Sequence, residues 1–354
     1  MREAIRARVA CPNGDCELRR RLNAGNVVLH GYSKVKGGRR RRYRCTACEK
    51  TFGTRTGTPY QRPQHSMARF DRAVELSVEG VNKSAIARPE GVSWNTVARW
   101  LERAAALARR FNAKHLRGHA LVELQLDEMN TFLQSRKKQT WVFASIDVWS
   151  RLWPATLVGS RTYRNTRRFV RSVADAGRGG GRPLITTDGF KFYAPSIRRV
   201  FGLGCVLAQV IKKITRNRVV RVGTKLIVGS EWRLTDALAE SEDSTKLNTA
   251  FIERLNLTIR QGCAYLRRRS PCHARKKRTL GDHLELFRAF YNFVRPHSAL
   301  RFGKVTRTPA MQAGLAAKRF SFRDIFTARN AAARFAIVRS AAVPSHEPVV
   351  GLSL

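Results

Sequence analysis

The spacing of hydrophobic and polar positions divides the 354-residue chain into three regions and a C-terminal tail. Residues 1–62 are rich in Arg and Gly and lack an apolar stripe long enough to form a core, so something else must hold them together. In residues 63–117, apolar side chains such as Phe70, Ala73 and Val74 recur at helical spacing, which predicts a small all-α domain. From residue 118 the period shortens to that of strands.

The third region, residues 118–315, predicts alternating strands and helices. Three strand-like runs come first, at 120–126, 140–148 and 152–158, and a short polar turn between the last two favours a hairpin. A helix, the strand LITTD, a second helix and the strand CVLAQVIKK follow. This order is typical of an α/β fold in which helices cover a mixed sheet. Residues 316–354 remain as a tail to which we assign no role.

Charge narrows the class of partner. The chain has 68 Lys and Arg against 25 Asp and Glu, a net charge of +43, so nucleic acid is the first partner to consider. The longest apolar run, Phe201 to Ala208, is too short to span a bilayer, and the first residues contain no apolar leader. Seven cysteines, an odd number, fit a reducing compartment better than a disulfide framework. We therefore expect a cytoplasmic, nucleoid-associated protein with no membrane partner.

Four of the cysteines form two short pairs in the first region. Cys11 and Cys16 lie in CPNGDC, and Cys45 and Cys48 lie in CTAC. Two loops that each present two thiolates supply the tetrahedral ligand set that structural Zn²⁺ prefers, which predicts a zinc ribbon. Alternatives are that His30 or His65 replaces one thiolate, or that the four cysteines are simply buried without metal. Arg40 and Arg42, between the pairs, are candidate phosphate contacts, the alternative being a solvated charge run.

The second region contains the pattern of a helix-turn-helix. Gly91 provides a turn, Ser93 is placed to cap the following helix, and the first turns of that helix carry candidate DNA contacts. These contacts are Trp94, Asn95, Thr96 and Arg99. Pro89 shortens the preceding helix, which departs from the usual pattern. The alternative is a packed helical linker that does not touch DNA.

Acidic residues are scarce in the C-terminal half, and three acids of the third region stand in informative places. Asp127 ends one strand, Asp188 ends another, and Glu253 opens a helix; the last two border long basic stretches without any Asp or Glu. Arg260 lies two turns beyond Glu253 on the same helix face. Lys212 and Lys213, in one of the basic stretches, are further candidate DNA contacts.

Carboxylates that meet at strand ends repel one another, so keeping all three ionised requires a cation. Mg²⁺ is the natural occupant, because it prefers oxygen ligands and shares its coordination sphere with phosphate. Two such ions can activate an attacking oxygen and stabilise a leaving one. The alternative is that Asp127 caps a turn and Glu253 pairs with Arg254 or Arg260 on the surface. A single carboxylate does not identify a metal ligand, because the sequence contains other acids that compete for the role, namely Glu128, Asp147, Asp175 and Glu231.

The order of these motifs resembles that of DDE insertion-sequence transposases, especially the bacterial group with a zinc ribbon, a helix-turn-helix and an integrase-like core. The resemblance runs from Cys11 to about Leu315. It rests on YRCTACEKTFGTRTGTP, SAIARPEGVSWNTVARWL, LDEMNTFL, ASIDVWSRLWPA, TTDGFKFY, NTAFIERLNLTIRQ and YNFVRPHSALRFGKVTRTPAM. One departure is the gap of 64 residues between Asp188 and Glu253, which predicts an insertion holding Glu231 to Asp243.

The resemblance implies an α/β, RNase H-like mixed-sheet catalytic core preceded by the ribbon and the helical domain. It implies that Asp127, Asp188 and Glu253 bind two Mg²⁺ or Mn²⁺ ions, and that Arg260 holds DNA near them. It further implies a transposase that binds the terminal inverted repeats of its element, cleaves and joins DNA strands, and acts on DNA as a homo-oligomer. The alternatives are a catalytically inactive DNA-binding regulator or domesticated relative, and a nuclease that cuts branched DNA without joining it.

Overall fold

The computed structural model describes residues 9–35, 38–61, 65–177, 181–215, 218–241, 246–268 and 270–327. Within these residues the secondary structure divides into an N-terminal antiparallel sheet, three helices, and a larger mixed sheet with helices on both faces. No helix in the described part of the chain combines the length and the apolar character that crossing a membrane requires. Residues 328–354, most of the predicted tail, lie outside the described residues.

The N-terminal sheet has three short strands in the order β1-β2-β3, all antiparallel. They are β1 (Val27–Val35), β2 (Gly38–Cys45) and β3 (Thr51–Gly53). The apolar contacts between them are few: Val27, Tyr43 and Phe52 are buried together with three of the cysteines. A core this small cannot stabilise about fifty residues on its own, as the sequence indicated.

Three helices follow, each capped by a side chain at its N-terminus. They are α1 (Met67–Val78), α2 (Lys83–Ala87) and α3 (Trp94–His115), and their caps are Ser66, Asn82 and Ser93. Ser93 accepts from the backbone N–H of Thr96, which confirms the predicted cap. Gly91, in the turn between α2 and α3, has a φ of +56°, a conformation that glycine adopts without strain.

The larger sheet has six strands in the order β6-β5-β4-β7-β8-β9. They are β4 (Glu123–Leu133), β5 (Ser135–Asp147), β6 (Thr156–Gly159), β7 (Leu184–Asp188), β8 (Val206–Thr215) and β9 (Arg218–Val228). The strands β4, β5 and β6 are antiparallel neighbours, whereas β7 is parallel to both β4 and β8. Helices α4 (Tyr163–Ala176) and α5 (Tyr193–Phe201) connect them. The predicted mixed sheet, with its order of strands and helices, is therefore confirmed.

The segment between Asp188 and the helix of Glu253 adds β9, antiparallel to β8 at the sheet edge, and the helix α6 (Glu231–Ala239). The chain then continues with α7 (Ala250–Gly262) and α8 (Lys277–Ala289). A π-helical turn, the short hairpin of β10 (Arg301–Phe302) and β11 (Val305–Thr306), and the helices α9 (Pro309–Gln312) and α10 (Phe322–Thr327) complete the described structure.

Side chains alternate along β4 between two hydrophobic clusters. Leu124 and Leu126 pack with α4 and α5 on one face, whereas Met129 packs in the cluster that contains α7 and α8 on the other. Because successive residues of a strand face opposite sides, Gln125 and Asp127 lie on the face of α7, and Glu128 lies on the face of α5.

The second cluster also crosses the predicted domain boundaries. It includes Phe70 and Trp100 of the helical region, Phe287 of α8, and Phe322 and Phe326 of α10. Side chains of the helical region, of the sheet region and of the residues after 316 therefore share one hydrophobic cluster. The aromatic side chains that the sequence places after residue 316 are buried against α1 and α3, because together they remove a large apolar surface from water.

Candidate functional site

The four cysteines of the first region meet in space. Cys11 and Cys16 precede β1, Cys45 ends β2, and Cys48 lies in the turn that leads to β3. Their sulfur atoms all lie within 4.8 Å of one another, with Cys11 Sγ 3.7 Å from Cys48 Sγ and Cys16 Sγ 3.7 Å from Cys45 Sγ. All four are free thiols.

This arrangement fits a zinc ion. Four sulfurs bound at about 2.3 Å around a tetrahedral centre lie about 3.8 Å apart, close to the separation seen here. Burial raises the pKa of the Cys11 thiol to about 12, so a buried thiolate at this position needs a cation. The side chain of Asn26 donates to Cys45 Sγ at 3.1 Å, a second contact that orients the sulfur. His65 packs against Trp100 and His30 is exposed, so neither replaces a thiolate.

A group of carboxylates lies beside the carboxyl end of β7. Leu126 of β4 pairs with Thr187 of β7, so Asp127 and Asp188 occupy the next position on two neighbouring parallel strands. Oxygen atoms from Asp127, Asp188 and Glu128 all lie within 4.8 Å of one another. The sequence therefore predicted the meeting of Asp127 and Asp188, but it gave no role to Glu128.

The helix α7 is bonded directly to this part of the sheet. The side chain of Asn256 donates to Asp127 Oδ2 at 2.8 Å. Gln125 Oε1 accepts from the backbone N–H groups of Phe251 and Ile252, both at 3.0 Å, and so caps the start of α7 from strand β4. Glu253 lies one turn before Asn256 on the same helix face, which brings it beside Asp127.

Glu253 is held differently from the two aspartates. Its carboxylate accepts from Lys212 Nζ at 2.5 Å and from the hydroxyl of Thr249 at 2.7 Å. It is half-exposed and does not belong to the group of oxygens that lie within 4.8 Å of one another. The third predicted ligand is thus adjacent to the pair of aspartates, and a lysine neutralises it.

The electrostatics of the cluster favour a cation. Burial, and then the neighbouring Asp188, raise the pKa of Asp127 to about 6 and that of Glu128 to about 7. Burial also acts to raise the pKa of Glu253, but hydrogen bonds from Lys212 and Thr249 lower it overall. Because the carboxylates favour protonation in each other's presence, a bound cation is what would keep them ionised near neutral pH. Oxygen donors of this kind suit Mg²⁺ or Mn²⁺.

The predicted DNA contacts on α3 are accessible. Trp94, Asn95 and Arg99 are exposed at the start of the helix, and the ammonium group of Lys83 lies 4.8 Å from the centre of the Trp94 ring. Thr96 is partly buried, and its hydroxyl is 2.9 Å from that of Ser93. Three of the four side chains are thus free to face a partner.

The remaining predicted contacts lie at separate places. On the small sheet, Arg42 is exposed and donates to Thr51 Oγ1 at 2.7 Å, while Arg40 is half-buried. Arg260, on α7, donates to the carbonyl of Asn130 at 3.3 Å and remains partly exposed. Lys212 is bonded to Glu253, as described above, and the side chain of Lys213 lies outside the described part of the chain.

Sequence reasoning missed Gln125 and Asn256, and it treated Glu128 only as a competing acid. Strand alternation was the available signal for Gln125, which precedes Asp127 by two positions and shares its face. For Asn256 the signal was its position three residues after Glu253, on the same side of a helix. Asp147, another acid considered, is bonded within the Ser150 turn and serves that turn.

No protein-family profile and no curated protein sequence matches this chain. Among solved structures, the cryo-EM structure of a piggyBac transposase synaptic complex with hairpin DNA is similar at a TM-score of 0.34 and 9% identity, covering 78% of this chain and 73% of that chain. A TM-score at this level is too low to establish a shared fold, so function must be argued from the residues themselves.

Proposed function

We propose that the chain is a DDE-type transposase with an RNase H-like core, which cleaves and joins DNA strands with the help of Mg²⁺ or Mn²⁺. The observation that carries the proposal is the meeting of Asp127 and Asp188 on neighbouring parallel strands, with Glu253 brought beside them by a helix that is bonded to Asp127. The strand order β6-β5-β4-β7-β8 agrees with the expected core, and the chain carries a net charge of +43.

In this proposal Asp127, Asp188 and Glu253 hold two divalent ions. When bound, such ions would activate an attacking oxygen and stabilise the leaving one in a phosphodiester displacement. Lys212 pairs with Glu253, and a cation held by Glu253 would leave the lysine free to contact a phosphate. In the same proposal Arg260, two turns beyond Glu253, contacts DNA near the metal site.

The N-terminal regions supply DNA recognition in this proposal. The four cysteines form a zinc ribbon, and Arg40 and Arg42 on its strands contact phosphates. The helices α2 and α3 act as a helix-turn-helix in which Trp94, Asn95, Thr96 and Arg99 meet the groove. The inverted repeats of an insertion sequence are the specific substrate, and the protein assembles on them as a homo-oligomer.

The test is a cleavage and joining assay with labelled duplexes that carry the DNA flanking the coding sequence. Wild-type protein is expected to release a 3′-hydroxyl end in Mg²⁺ or Mn²⁺ and to join that end to a target plasmid. Asp127→Asn, Asp188→Asn and Glu253→Gln should each reduce cleavage by about a hundredfold or more, because each removes a ligand of the metal.

The control is Glu231→Gln, which changes an exposed acid in the segment between Asp188 and Glu253 and should leave cleavage unchanged. All variants should bind the duplex as the wild type does in a gel-shift assay. Wild-type cleavage by any one of the three variants would remove that residue from the metal site. Binding without any cleavage by the wild type would favour the inactive regulator, and cleavage without joining would favour the nuclease.

A further inference from the structure

Glu128 approaches the carboxylate cluster from the opposite face of the sheet. Asp127 faces α7, whereas Glu128, the next residue of β4, faces α5 and the side chain of Arg161. Beside the carboxyl end of β7, the Glu128 carboxylate nevertheless comes within 4.8 Å of those of Asp127 and Asp188. The cluster thus receives carboxylates from both sides of the sheet.

The environment of Glu128 leaves one carboxylate oxygen without a close hydrogen-bond donor. The side chain is almost completely buried, at 6% exposure for the residue, and its Oε1 lies 2.5 Å from Nη2 of Arg161. Oε2 is buried and makes no short hydrogen bond with the described residues; the buried hydroxyl of Tyr193, on the neighbouring helix α5, interacts with the Glu128 carboxylate from a greater distance. A buried carboxylate oxygen without a close donor is costly, and a bound cation would satisfy it.

The charges around the cluster do not balance without a cation. Asp127, Glu128 and Asp188 carry three negative charges when ionised, and Arg161 is the one basic side chain that forms an ion pair with them in the described part of the chain. Its guanidinium is fixed between two aromatic rings, 4.5 Å from the centre of Trp141 and 3.9 Å from that of Phe190. Two negative charges remain, which matches a divalent ion.

We propose that Glu128 is a further carboxylate of the metal site, binding the same cation as Asp127 and Asp188. The proposal rests on the proposed function and deepens it, because it adds a fourth carboxylate to the three of the DDE assignment. In this arrangement Arg161 holds one oxygen of Glu128 and positions the other for the metal. The chemical class of the ligand is a hard divalent cation such as Mg²⁺ or Mn²⁺.

The test compares Mn²⁺ binding by the wild type and by Glu128→Gln, measured by electron paramagnetic resonance on the zinc-loaded, full-length protein without DNA. The Kd for Mn²⁺ is expected to increase by about tenfold or more in the variant. The substitution also removes the charged partner of Arg161, so the metal-free melting temperature is measured to show that the variant folds, and the Mn²⁺ affinity decides. Glu123→Gln is the matched control. Glu123 is another buried glutamate of β4; it lies about 16 Å along the strand from Glu128, and its carboxylate accepts from the hydroxyl of Ser241.

A purely structural role for Glu128 predicts the opposite result. If the residue only pairs with Arg161, the glutamine variant should keep its Mn²⁺ affinity within about twofold of the wild type, and unchanged affinity overturns the proposal. If the glutamine variant fails to fold, Glu128→Asp provides the second measurement: it keeps the charge, its shorter side chain should still weaken Mn²⁺ binding, and wild-type affinity would again overturn the proposal.

The comparison with Asp127→Asn separates this inference from the proposed function. Loss of Mn²⁺ binding in Asp127→Asn, with normal binding in Glu128→Gln, would reject the role of Glu128 and leave the transposase proposal intact. Normal Mn²⁺ binding in both variants would reject the metal site itself, and with it the proposed function.

Discussion

The bond between Gln125 and the start of α7 gives a sharp prediction about how Glu253 is positioned. Gln125 is fully buried, and its Oε1 accepts from two backbone N–H groups of the first turn, those of Phe251 and Ile252. Gln125→Met keeps the length of the side chain but removes the acceptor. Each buried donor left without a partner costs about 1–3 kcal/mol, so the loss of the acceptor for two donors should cost the first turn of α7 about 2–6 kcal/mol of local stability. Since 1.4 kcal/mol corresponds to a tenfold change, a loss of 2 kcal/mol means about thirtyfold faster exchange through local opening.

Hydrogen–deuterium exchange followed by mass spectrometry measures this effect on peptides from residues 249–256 in the metal-free protein. A peptide from α4 (Tyr163–Ala176) serves as the internal reference, because α4 packs on the other face of the sheet and should exchange as in the wild type. Gln125→Glu retains an acceptor oxygen and should restore protection of α7. Protection of 249–256 within twofold of the wild type in Gln125→Met would refute the argument that Gln125 fixes the helix.

Three further predictions concern other parts of the chain. Cys45→Ser should abolish stoichiometric zinc content and expose the β1–β3 sheet to limited proteolysis, and a full zinc content would contradict the ribbon. Arg99→Ala should weaken duplex binding by about 1–3 kcal/mol and relax the sequence preference, whereas an unchanged preference would remove Arg99 from the groove contacts. Burial lowers the pKa of His119 to about 4, so the imidazole binds a proton more tightly in the unfolded chain than in the folded one. His119 therefore destabilises the folded protein as the pH falls: this effect is absent above about pH 6.5 and reaches about 3 kcal/mol at about pH 4. His119→Leu should therefore lessen the loss of stability between pH 7 and pH 4.5 in urea titrations, and an unaltered loss would contradict this reasoning.

The strand β7 with Asp188 at its end could be predicted because its signal is local, whereas Asp127, expected at the end of its strand, lies in the middle of β4 (Glu123–Leu133). A run of apolar residues that ends in an acid, as in LITTD, specifies both a strand and the position of its carboxylate at the strand end. Once β4 and β7 are parallel neighbours, the pairing of Leu126 with Thr187 brings Asp127 and Asp188 together without further information. The cysteine pairs were equally local, since two loops with two thiolates each need only a short sheet to bring them together.

The rest of the site depends on which surfaces meet across the chain, and the sequence carries no local signal of that. Gln125 caps a helix that begins 125 residues later, and the contact from Asn256 to Asp127 spans 129 residues. Glu128 joins the cluster because β7 ends at Asp188 whereas β4 continues beyond it. Residues from both faces of β4 can therefore reach the space past the end of β7. Each contact follows from strand register and helix docking, which spacing along the sequence does not specify.

The packing of the helical region on the sheet region bears on function. Periodicity separates α3 from the sheet region, yet the C-terminal half of α3 is packed and bonded against α8: Asn112 donates to the carbonyl of Glu285 at 2.9 Å, and Phe111 meets Phe293 edge to face at 4.8 Å. The N-terminal half of the same helix carries Trp94 and Arg99, the proposed DNA contacts. Because one continuous helix of 22 residues joins the two ends, a duplex bound at Trp94 would be held at a fixed position relative to α8 and the core that contains α7. Recognition and cleavage would then be coupled by a shared hydrophobic core, which holds the DNA-binding end of α3 in one position relative to α8.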